Sequence, residues 1–444
     1  MTAPVKRFVL LSVTAALMAA PAAAQLGSHN PLPGPRGTFA IQNARIVPVS
    51  GAVIERGTVV ITDGRVSAVG ASVTVPAGAQ IIDASGLSVY PGMMDAGTSM
   101  GLSEIGQGAN ATVDDSEVGS WNPNAMALWG FNPHSAHIGV TRVVGITHVV
   151  SRPTGSVIAG TAALMNMAGA TAPEMAVNDR AAVVIQYPRA GGGGGFGGFG
   201  GGGGGAGAAA RVAAQKDSLK SILADARAYA KVLEAYAANG SLPRPKHDVV
   251  LAALVPLVNG SIPALMPADD AADIRAAVEF AAAEQLKAII VGGRDAWRVT
   301  DLLKEHNVPV LLTGVMSLPS SDDDPYDHNF TLPKKLREAG VTFAITSGSG
   351  GAQARDLPYV AGMAASFGLD PADALRAVTL WPAQIFGVGD RYGSIEVGKA
   401  ANLVVTTGDI LEAQTDTRYL FIDGRPVGLS TRHSDLYDFF KGRK

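Results

Sequence analysis

The stretch PGMMDAGTSM, residues 91–100, ends an apolar run with a short polar string. This pattern is typical of a buried strand that opens into a site at its end. Side chains two apart on a strand face the same side, so Gly97 and Ser99 share a face. Glycine has no side chain, and a neutral serine hydroxyl is not among the usual zinc ligands, which are Cys, His and Asp or Glu. The strand end therefore marks a site that lacks the usual groups for metal binding.

The residues before this stretch, 39–90, predict a small β unit. The segments FAIQNARIVPV, GTVVITDGRVSAVG and AQIIDASGLSVYPG alternate apolar and polar residues, as half-buried strands do. Asp63-Gly64 is a strong hairpin turn signal. After about residue 390 the same texture returns in GSIEVGKAANLVVTTGD and TRYLFIDGRPV. Two β-rich ends that flank one central body indicate that both ends build a single β domain.

Between about residues 91 and 390, short apolar runs alternate with helical patterns. The runs include TRVVGITHVV, AAVVIQY, LKAIIVGG, VPVLLTG and VTFAITS, and a helical pattern such as ADDAADIRAAVEFAAAEQ lies between several of them. Buried strands that alternate with amphipathic helices predict a parallel sheet. The number of units fits an eight-fold barrel better than an open sheet, although periodicity alone leaves both open.

The bulk composition excludes one class of partner, and the first residues indicate export. Charged residues are 16% of the chain and the formal net charge is −3, so a nucleic-acid partner is not expected. Residues 1–24 combine Lys6 and Arg7 with the apolar stretch FVLLSVTAALMAA, which is typical of a secretory signal peptide cleaved after Ala24. A retained N-terminal anchor helix is the alternative. No later segment has about 18 uninterrupted apolar residues, so we expect a secreted or periplasmic protein without a membrane span.

Residues 191–205, GGGGGFGGFGGGGGG, interrupt the central body. Glycine is costly to order, and this stretch offers almost no side chains to bury. A phosphate-binding loop would end in Lys-Ser or Lys-Thr, and neither follows. We therefore predict a disordered insert over residues 190–210, at the mouth of a barrel. A mobile flap that uses the two phenylalanines is the alternative.

Several of these segments together resemble the amidohydrolase superfamily, especially its exported imidazolonepropionase-like branch. The opening NARIVPVSGAVIERGTVVITDGRVSAVG, followed by IIDASGLSVYPGMMDAGTSMGLSEIG, is similar to the family's first segment. The segments GVTRVVGITHVVSRPTGSVIAGTAALMNMAG and GLDPADALRAVTLWPAQIFGVGDRYGSIEVGKAANLVV are similar to its middle and its end. The resemblance runs across almost the whole mature chain, apart from the glycine-rich insert.

The resemblance implies an α/β fold, a (β/α)8 TIM-like barrel with a composite β-sandwich from both ends. Members of the family usually hydrolyse amide, lactam or other C–N bonds with one or two metal ions at the C-terminal face of the barrel. The expected divisions are a signal peptide (1–24), the N-terminal part of the β-sandwich (38–90), the barrel (91–390), the C-terminal part of the β-sandwich (391–430) and a C-terminal tail (431–444).

The metal-ligand positions that the resemblance implies are occupied by other residues. The family's first strand typically ends in His-x-His, where this chain has Gly97 and Ser99. A mid-barrel lysine is absent from AAVVIQYP, and later strands that often end in a histidine align with Pro267 and Gly292. The last strand usually ends in an aspartate, where this chain has a segment centred on Gly348. A metal site needs several converging ligands, so we expect these positions to hold none.

Other residues offer weak substitutes for the missing ligands. His134 and His137 are three apart, but Asn-Pro precedes them, so surface histidines are expected there. His148 lies in an apolar strand and is expected to be a core or strand-end residue, and His306 is expected at a helix C-terminus. A serine nucleophile at Ser99 or Ser349 would need a positioned base, and no convincing nucleophile elbow is present.

We therefore hypothesise a catalytically degenerate amidohydrolase homologue without a bound metal, which acts as a non-catalytic or regulatory subunit or as a small-molecule binder. It could pair with an active paralogue or form a homo-oligomer. The alternative is an active hydrolase of C–N bonds with a reduced, relocated or partner-completed site, which would need zinc or another divalent metal. Candidate binding residues at the strand ends are Asp95, Thr98, Ser99, Arg152, Arg294, Ser347 and Ser349.

Overall fold

A computed structural model of the protein describes residues 32–105, 110–189, 206–319, 323–348 and 350–443. The predicted signal peptide, most of the predicted glycine-rich insert (190–205) and Ser349 lie outside these residues. Within the described part of the chain, no helix has both the length and the apolar character needed to cross a membrane.

The described residues contain strands and helices in an order that separates a β-rich start, an α/β body and a β-rich end. The strands are β1 (Phe39–Ile46), β2 (Ile54–Thr62), β3 (Arg65–Gly70), β4 (Gln80–Asp83), β5 (Ser88–Pro91), β6 (Met93–Thr98), β7 (Ile146–Ser151), β8 (Ile158–Asn166), β9 (Ala176–Ile185), β10 (Ala264–Ala268), β11 (Ala288–Gly292), β12 (Val310–Leu312), β13 (Phe343–Ile345), β14 (Leu403–Thr406), β15 (Thr417–Ile422) and β16 (Arg425–Pro426). The α-helices are α1 (Ala127–Gly130), α2 (Ala136–Arg142), α3 (Ala172–Met175), α4 (Ala206–Ala238), α5 (Val249–Val258), α6 (Ala271–Ala283), α7 (Thr300–Glu305), α8 (His328–Ala339), α9 (Leu357–Ser366), α10 (Pro371–Ala377), α11 (Leu380–Ile385) and α12 (Arg432–Phe440).

Strands β6 to β13 form one eight-stranded sheet in sequence order, and this sheet is the predicted barrel. Neighbouring strands are parallel from β9 to β13, as are β6 and β7. The sheet is nearly closed, because the end of β13 reaches β6 through the hydrogen bond from the Thr346 hydroxyl to Asp95. The prediction of an eight-fold barrel is confirmed.

Strand β8 departs from the alternation of strands and helices, because it runs antiparallel to both β7 and β9. Only residues 152–157 separate β7 from β8, and a parallel crossover needs about a dozen residues or more. A hairpin is therefore the connection available to this segment. Every residue of β8 is buried, which agrees with its central place in the sheet.

The second sheet combines both ends of the chain, as predicted. Its hydrogen-bonded order is β16-β15-β14-β5-β1-β2-β3, and β4 pairs with β1 beside this path. The two ends meet where β14 pairs antiparallel with β5, with Leu403 opposite Pro91. The predicted hairpin turn at Asp63-Gly64 joins β2 to β3, and both residues have positive φ angles, 51° and 81°.

The barrel interior is apolar, and residues from the segment after the barrel pack against it. Side chains that alternate along the strands, such as Met94, Val150 and Ile289, form one buried cluster with Phe386 and Tyr392 from the segment after the barrel. The end where β6, β7 and β9 to β13 have their carboxyl ends is the end at which barrels of this type place their sites.

Two structural features differ from the sequence predictions. Helix α4 begins at Ala206, so residues 206–210 of the predicted disordered insert are helical. The run of alanines that follows the glycines favours this start, because alanine has the highest helix propensity. The expected C-terminal tail contains α12, which Thr431 and Ser434 cap by reciprocal side-chain and backbone hydrogen bonds.

Candidate functional site

Asp95 lies at the mouth of the barrel and joins its first strand to its last. The residue is fully buried. One of its carboxylate oxygens accepts hydrogen bonds from the Thr346 hydroxyl at 2.7 Å, the Ser347 amide at 3.2 Å and the Gly97 amide at 3.4 Å, and the other accepts from the Ser347 hydroxyl. Burial raises the pKa of Asp95, and the hydrogen bonds from Ser347 and Thr346 oppose that effect. These hydrogen bonds join β6 to the end of β13, and we call this junction the seam. Asp95 therefore holds the seam together.

Gly97, the first of the predicted ligand positions, faces this same point of the mouth. A β-carbon at Gly97 would lie 3.4 Å from the Thr346 hydroxyl oxygen and 3.7 Å from Nε of Arg152. Arg152 directly follows β7, and its backbone amide donates to the Thr98 carbonyl. The guanidinium of Arg152 therefore lies beside the place where a first-strand histidine would begin.

The positive charge of Arg152 has no close counter-ion among the described residues. Its Nε is buried and has no hydrogen-bond partner, and no carboxylate of the described residues forms an ion pair with it within 4.0 Å. Burial lowers the pKa of Arg152, and the charges of Asp95 and Asp115 act against this. A half-buried cation without a close counter-ion is only partly compensated, so this group is suited to meet an anion.

Gly292 and Gly348, at the ends of later strands, have no room for a side chain. Gly292 has a φ of +110°, and a β-carbon there would come within 2.6 Å of an oxygen of Asp269. Gly348 has a φ of +65°, and its β-carbon would come within 2.3 Å of Cβ of Thr313. Positive φ angles and backbone crowding both favour glycine. A histidine or aspartate at either position would require the strand end to change shape.

The remaining predicted residues lie at the mouth but do not join the Asp95 group. Pro267 is half-buried in β10, opposite Val291 of β11. Arg294 follows β11 and pairs with Asp269 at 3.1 Å, four strands away from Arg152 in the sheet order. The buried Thr98 is the last residue of β6, and Ser99 begins the turn that follows. The structure thus brings together Asp95, Gly97, Arg152 and Ser347 from the predicted set.

The donor set of the mouth does not fit a metal ion of the kind that the resemblance implies. Across residues 32–105, 110–189, 206–319, 323–348 and 350–443, no three His, Cys, Asp or Glu side chains lie close enough together to hold a metal. Asp95, the one carboxylate in the group, already accepts four hydrogen bonds from hydroxyl and amide donors, which a metal ion would have to displace.

The histidines do not form an alternative site within the described residues. His134 is exposed, as predicted, whereas His137 lies in α2 and not in a loop, and its Nδ1 is buried without a partner. His148 is a buried core residue, as predicted, and it packs edge-on against Tyr392 with ring centroids 4.4 Å apart. His306 caps the C-terminus of α7, which confirms that prediction.

Two polar residues near the mouth were not found from the sequence. Thr346 bridges the seam, but a threonine directly after an apolar run is too common to single out. Asn329 is buried in the first turn of α8, far in sequence from the barrel strand ends it faces. Its burial follows from the packing of α8 against the barrel, which no local pattern predicts.

Comparisons with known proteins agree with the fold. Residues 269–428 match the model of the amidohydrolase family, and no curated protein sequence matches the chain. An amidohydrolase from Thermotoga maritima MSB8 has a similar structure, with a TM-score of 0.75, 24% identity, and coverage of 88% of this chain and 99% of that one. A prolidase in complex with N-methylphosphonate-L-proline gives a TM-score of 0.54 at 18% identity, with 88% and 99% coverage.

A third similar structure, molinate hydrolase, gives a TM-score of 0.53 at 16% identity and covers 90% of this chain and 96% of that one. At these identities the likeness shows the shared architecture, and the family match comes from the second half of the barrel and the β-rich end. The matched segment is similar to the amidohydrolase family, and the nearly closed eight-stranded barrel with its additional sheet has the architecture of these similar structures.

Proposed function

We propose that this chain is a catalytically degenerate amidohydrolase homologue that binds a small oxyanion, a carboxylate or a phosphate, at the barrel mouth. The observation that carries the proposal is the position of Arg152. Its guanidinium lies beside Gly97, where a first-strand ligand would begin, and its buried Nε has no partner. A site that presents a cation in place of metal ligands attracts an anion and repels a metal.

The surroundings of Arg152 support binding more than catalysis. Both oxygens of Asp95 already accept hydrogen bonds, from Thr346, Ser347 and Gly97, and this bonding suits a structural role. A general base must reach the proton that it abstracts, and no histidine of the described residues lies in this group. The proposal therefore assigns the chain a small-molecule-binding or regulatory role, separately or beside a catalytic homologue.

The experiment is a calorimetric titration of the purified chain with acetate and with inorganic phosphate. We expect saturable binding of one of the two, and the Arg152→Met variant is expected to weaken it about 10- to 100-fold, as is usual when a charge-assisted hydrogen bond is lost. The exposed Arg180 on β9 provides a matched control, Arg180→Met, which should leave the affinity unchanged.

Two outcomes would contradict the proposal. Equal affinity in the Arg152→Met variant would mean that another group holds the anion. Hydrolysis of a C–N bond by the chain, alone or with added divalent metal, would favour instead an active hydrolase whose site is reduced, relocated or completed by a partner. Preference for acetate or phosphate distinguishes a carboxylate ligand from a phosphate ligand.

A further inference from the structure

A separate cavity lies between the ends of β11 and β12 and the start of α8. It has a volume of about 190 Å³. Its polar lining consists chiefly of Asp269, Arg294, Thr313, Ser317 and Asn329. These residues lie on other strands than Arg152, so the cavity is distinct from the oxyanion site proposed above.

Asn329 lines this cavity and has an unpaired side-chain acceptor. Its side-chain nitrogen donates to the carbonyls of Ser317 and Leu318, both at 3.0 Å. Both partners are acceptors, so the nitrogen must lie on their side and the orientation of the amide is settled. Oδ1 therefore points the other way, and it is buried without a hydrogen-bond partner. The residue is only 1% exposed, and a buried acceptor in that state calls for a donor.

The opposite wall carries both signs of charge. Arg294 and Asp269 form an ion pair at 3.1 Å with side chains 34% and 42% exposed, so each keeps part of its surface open. A guanidinium has five N–H donors, and one contact to Asp269 leaves others for a second acceptor. A carboxylate has lone pairs left for a second donor. A partly exposed guanidinium next to a partly exposed carboxylate suits a ligand that carries one positive and one negative group.

We propose that this cavity binds a small zwitterion of amino-acid size. Its ammonium group donates to Oδ1 of Asn329 and to Asp269, and its carboxylate accepts from Arg294. The volume limits the ligand, because it lies below the roughly 300–1,000 Å³ of pockets for drug-sized molecules. The hydroxyls of Thr313 and Ser317 also line the cavity and suit a polar ligand better than an apolar one.

The test compares three probes that differ by one charged group. L-Alanine carries both groups, propionate lacks the ammonium group, and ethylamine lacks the carboxylate. Calorimetric titration of the Arg152→Met variant, in which the proposed oxyanion site is disabled, at millimolar concentrations is expected to show saturable binding of L-alanine, at least about tenfold tighter than either of the others. Equal or tighter binding of propionate or ethylamine, or no saturable binding of L-alanine, would overturn the proposal.

Two variants locate the binding, and one variant controls for charge. Arg294→Met should weaken L-alanine binding about 10- to 100-fold, whereas Arg298→Met should not, since Arg298 pairs with Asp295 and Asp324 outside the lining. Ser317 is exposed, so Ser317→Trp should block the cavity without disturbing the core. Unchanged affinity in both Arg294→Met and Ser317→Trp would reject the site.

This inference stands or falls independently of the oxyanion site. Arg152→Met should leave L-alanine binding unchanged, because Arg152 does not line this cavity. Loss of L-alanine binding in Arg152→Met would therefore count against a separate site at Asn329.

Discussion

At the scale of single residues, the group around Asp95 is built from side chains that already have partners, whereas the neighbouring Nε of Arg152 has none. Asp95, in the middle of β6, accepts hydrogen bonds at both carboxylate oxygens, whereas the sequence suggested it only as a candidate binding residue. Its donors come from Thr346 and Ser347, some 250 residues later, and only the closure of the barrel brings them together. The candidate site was thus predictable as a location, whereas its bonding pattern was not.

The buried carboxylate of Asp95 should contribute to stability through the seam between β6 and β13. Replacing Asp95 by Asn puts an amide donor against other donors in a buried place, so unfolding free energy should fall by about 2–4 kcal/mol. Urea unfolding measures this change. Asp301, with a side chain 97% exposed, provides the control, and Asp301→Asn should change stability by less than about 0.5 kcal/mol. If Asp95→Asn were as stable as the unchanged protein, the seam would not depend on the carboxylate.

His148 predicts an acid-dependent loss of stability. The Asn402 amide nitrogen faces Nε2 of His148 at 3.2 Å, and the Asn402 oxygen accepts from the Asp423 amide, so Nε2 is the acceptor and the ring is neutral. Burial, with repulsion from Arg391, lowers the pKa of His148 from 6.5 to about 3. The unfolded chain therefore binds a proton first as the pH falls. The stability that this neutral ring provides is complete above pH 6.5 and is lost toward pH 3.

The expected slope is about 1.4 kcal/mol of unfolding free energy per pH unit below pH 6.5. A His148→Gln variant cannot titrate, so it should lose less stability than the unchanged protein between pH 6.5 and pH 5, whatever its stability at neutral pH. The exposed His134 supplies the control, and His134→Gln should follow the unchanged protein. Parallel curves for His148→Gln and the unchanged protein would show that His148 does not set this slope.

At the scale of strands and helices, two strand ends of the barrel have a backbone shape that requires glycine. Two of the three glycines at expected ligand positions, Gly292 and Gly348, have positive φ angles and crowded surroundings, whereas Gly97 has space beside it. The sequence predicts that these positions hold no metal ligand, but it does not indicate that two of the strand ends have no room for a side chain. That difference depends on φ angles and on contacts between strands, which a single glycine in a sequence does not reveal.

Alanine substitutions test this difference directly. Gly348→Ala should lower unfolding free energy by at least about 2 kcal/mol, because the left-handed backbone disfavours a β-carbon and Thr313 blocks its space. Gly97→Ala should cost less than about 1 kcal/mol, since its nearest neighbours stand at ordinary contact distance. Chemical denaturation of the two variants decides the matter, and equal losses at both positions would contradict the asymmetry.

At the scale of the whole molecule, most of the fold was predictable from patterns of apolar residues. The recurring apolar runs, the Asp63-Gly64 hairpin signal and the return of alternating strand patterns after residue 390 predicted the barrel and the composite sheet. The antiparallel β8 was not predicted, because a continuous apolar run does not encode strand direction. Direction follows here from the shortness of the segment before Ile158, which permits a hairpin and no crossover helix.

The central claim is that a cation, Arg152, stands where the fold would otherwise gather metal ligands. The most direct measurement is the zinc content of the full mature chain, purified without added metal, followed by titration with zinc against a competing chelator. The account predicts far less than one zinc per chain and no competition for the ion. About one or two tightly held zinc ions per chain, whose removal lowered the melting temperature, would contradict it.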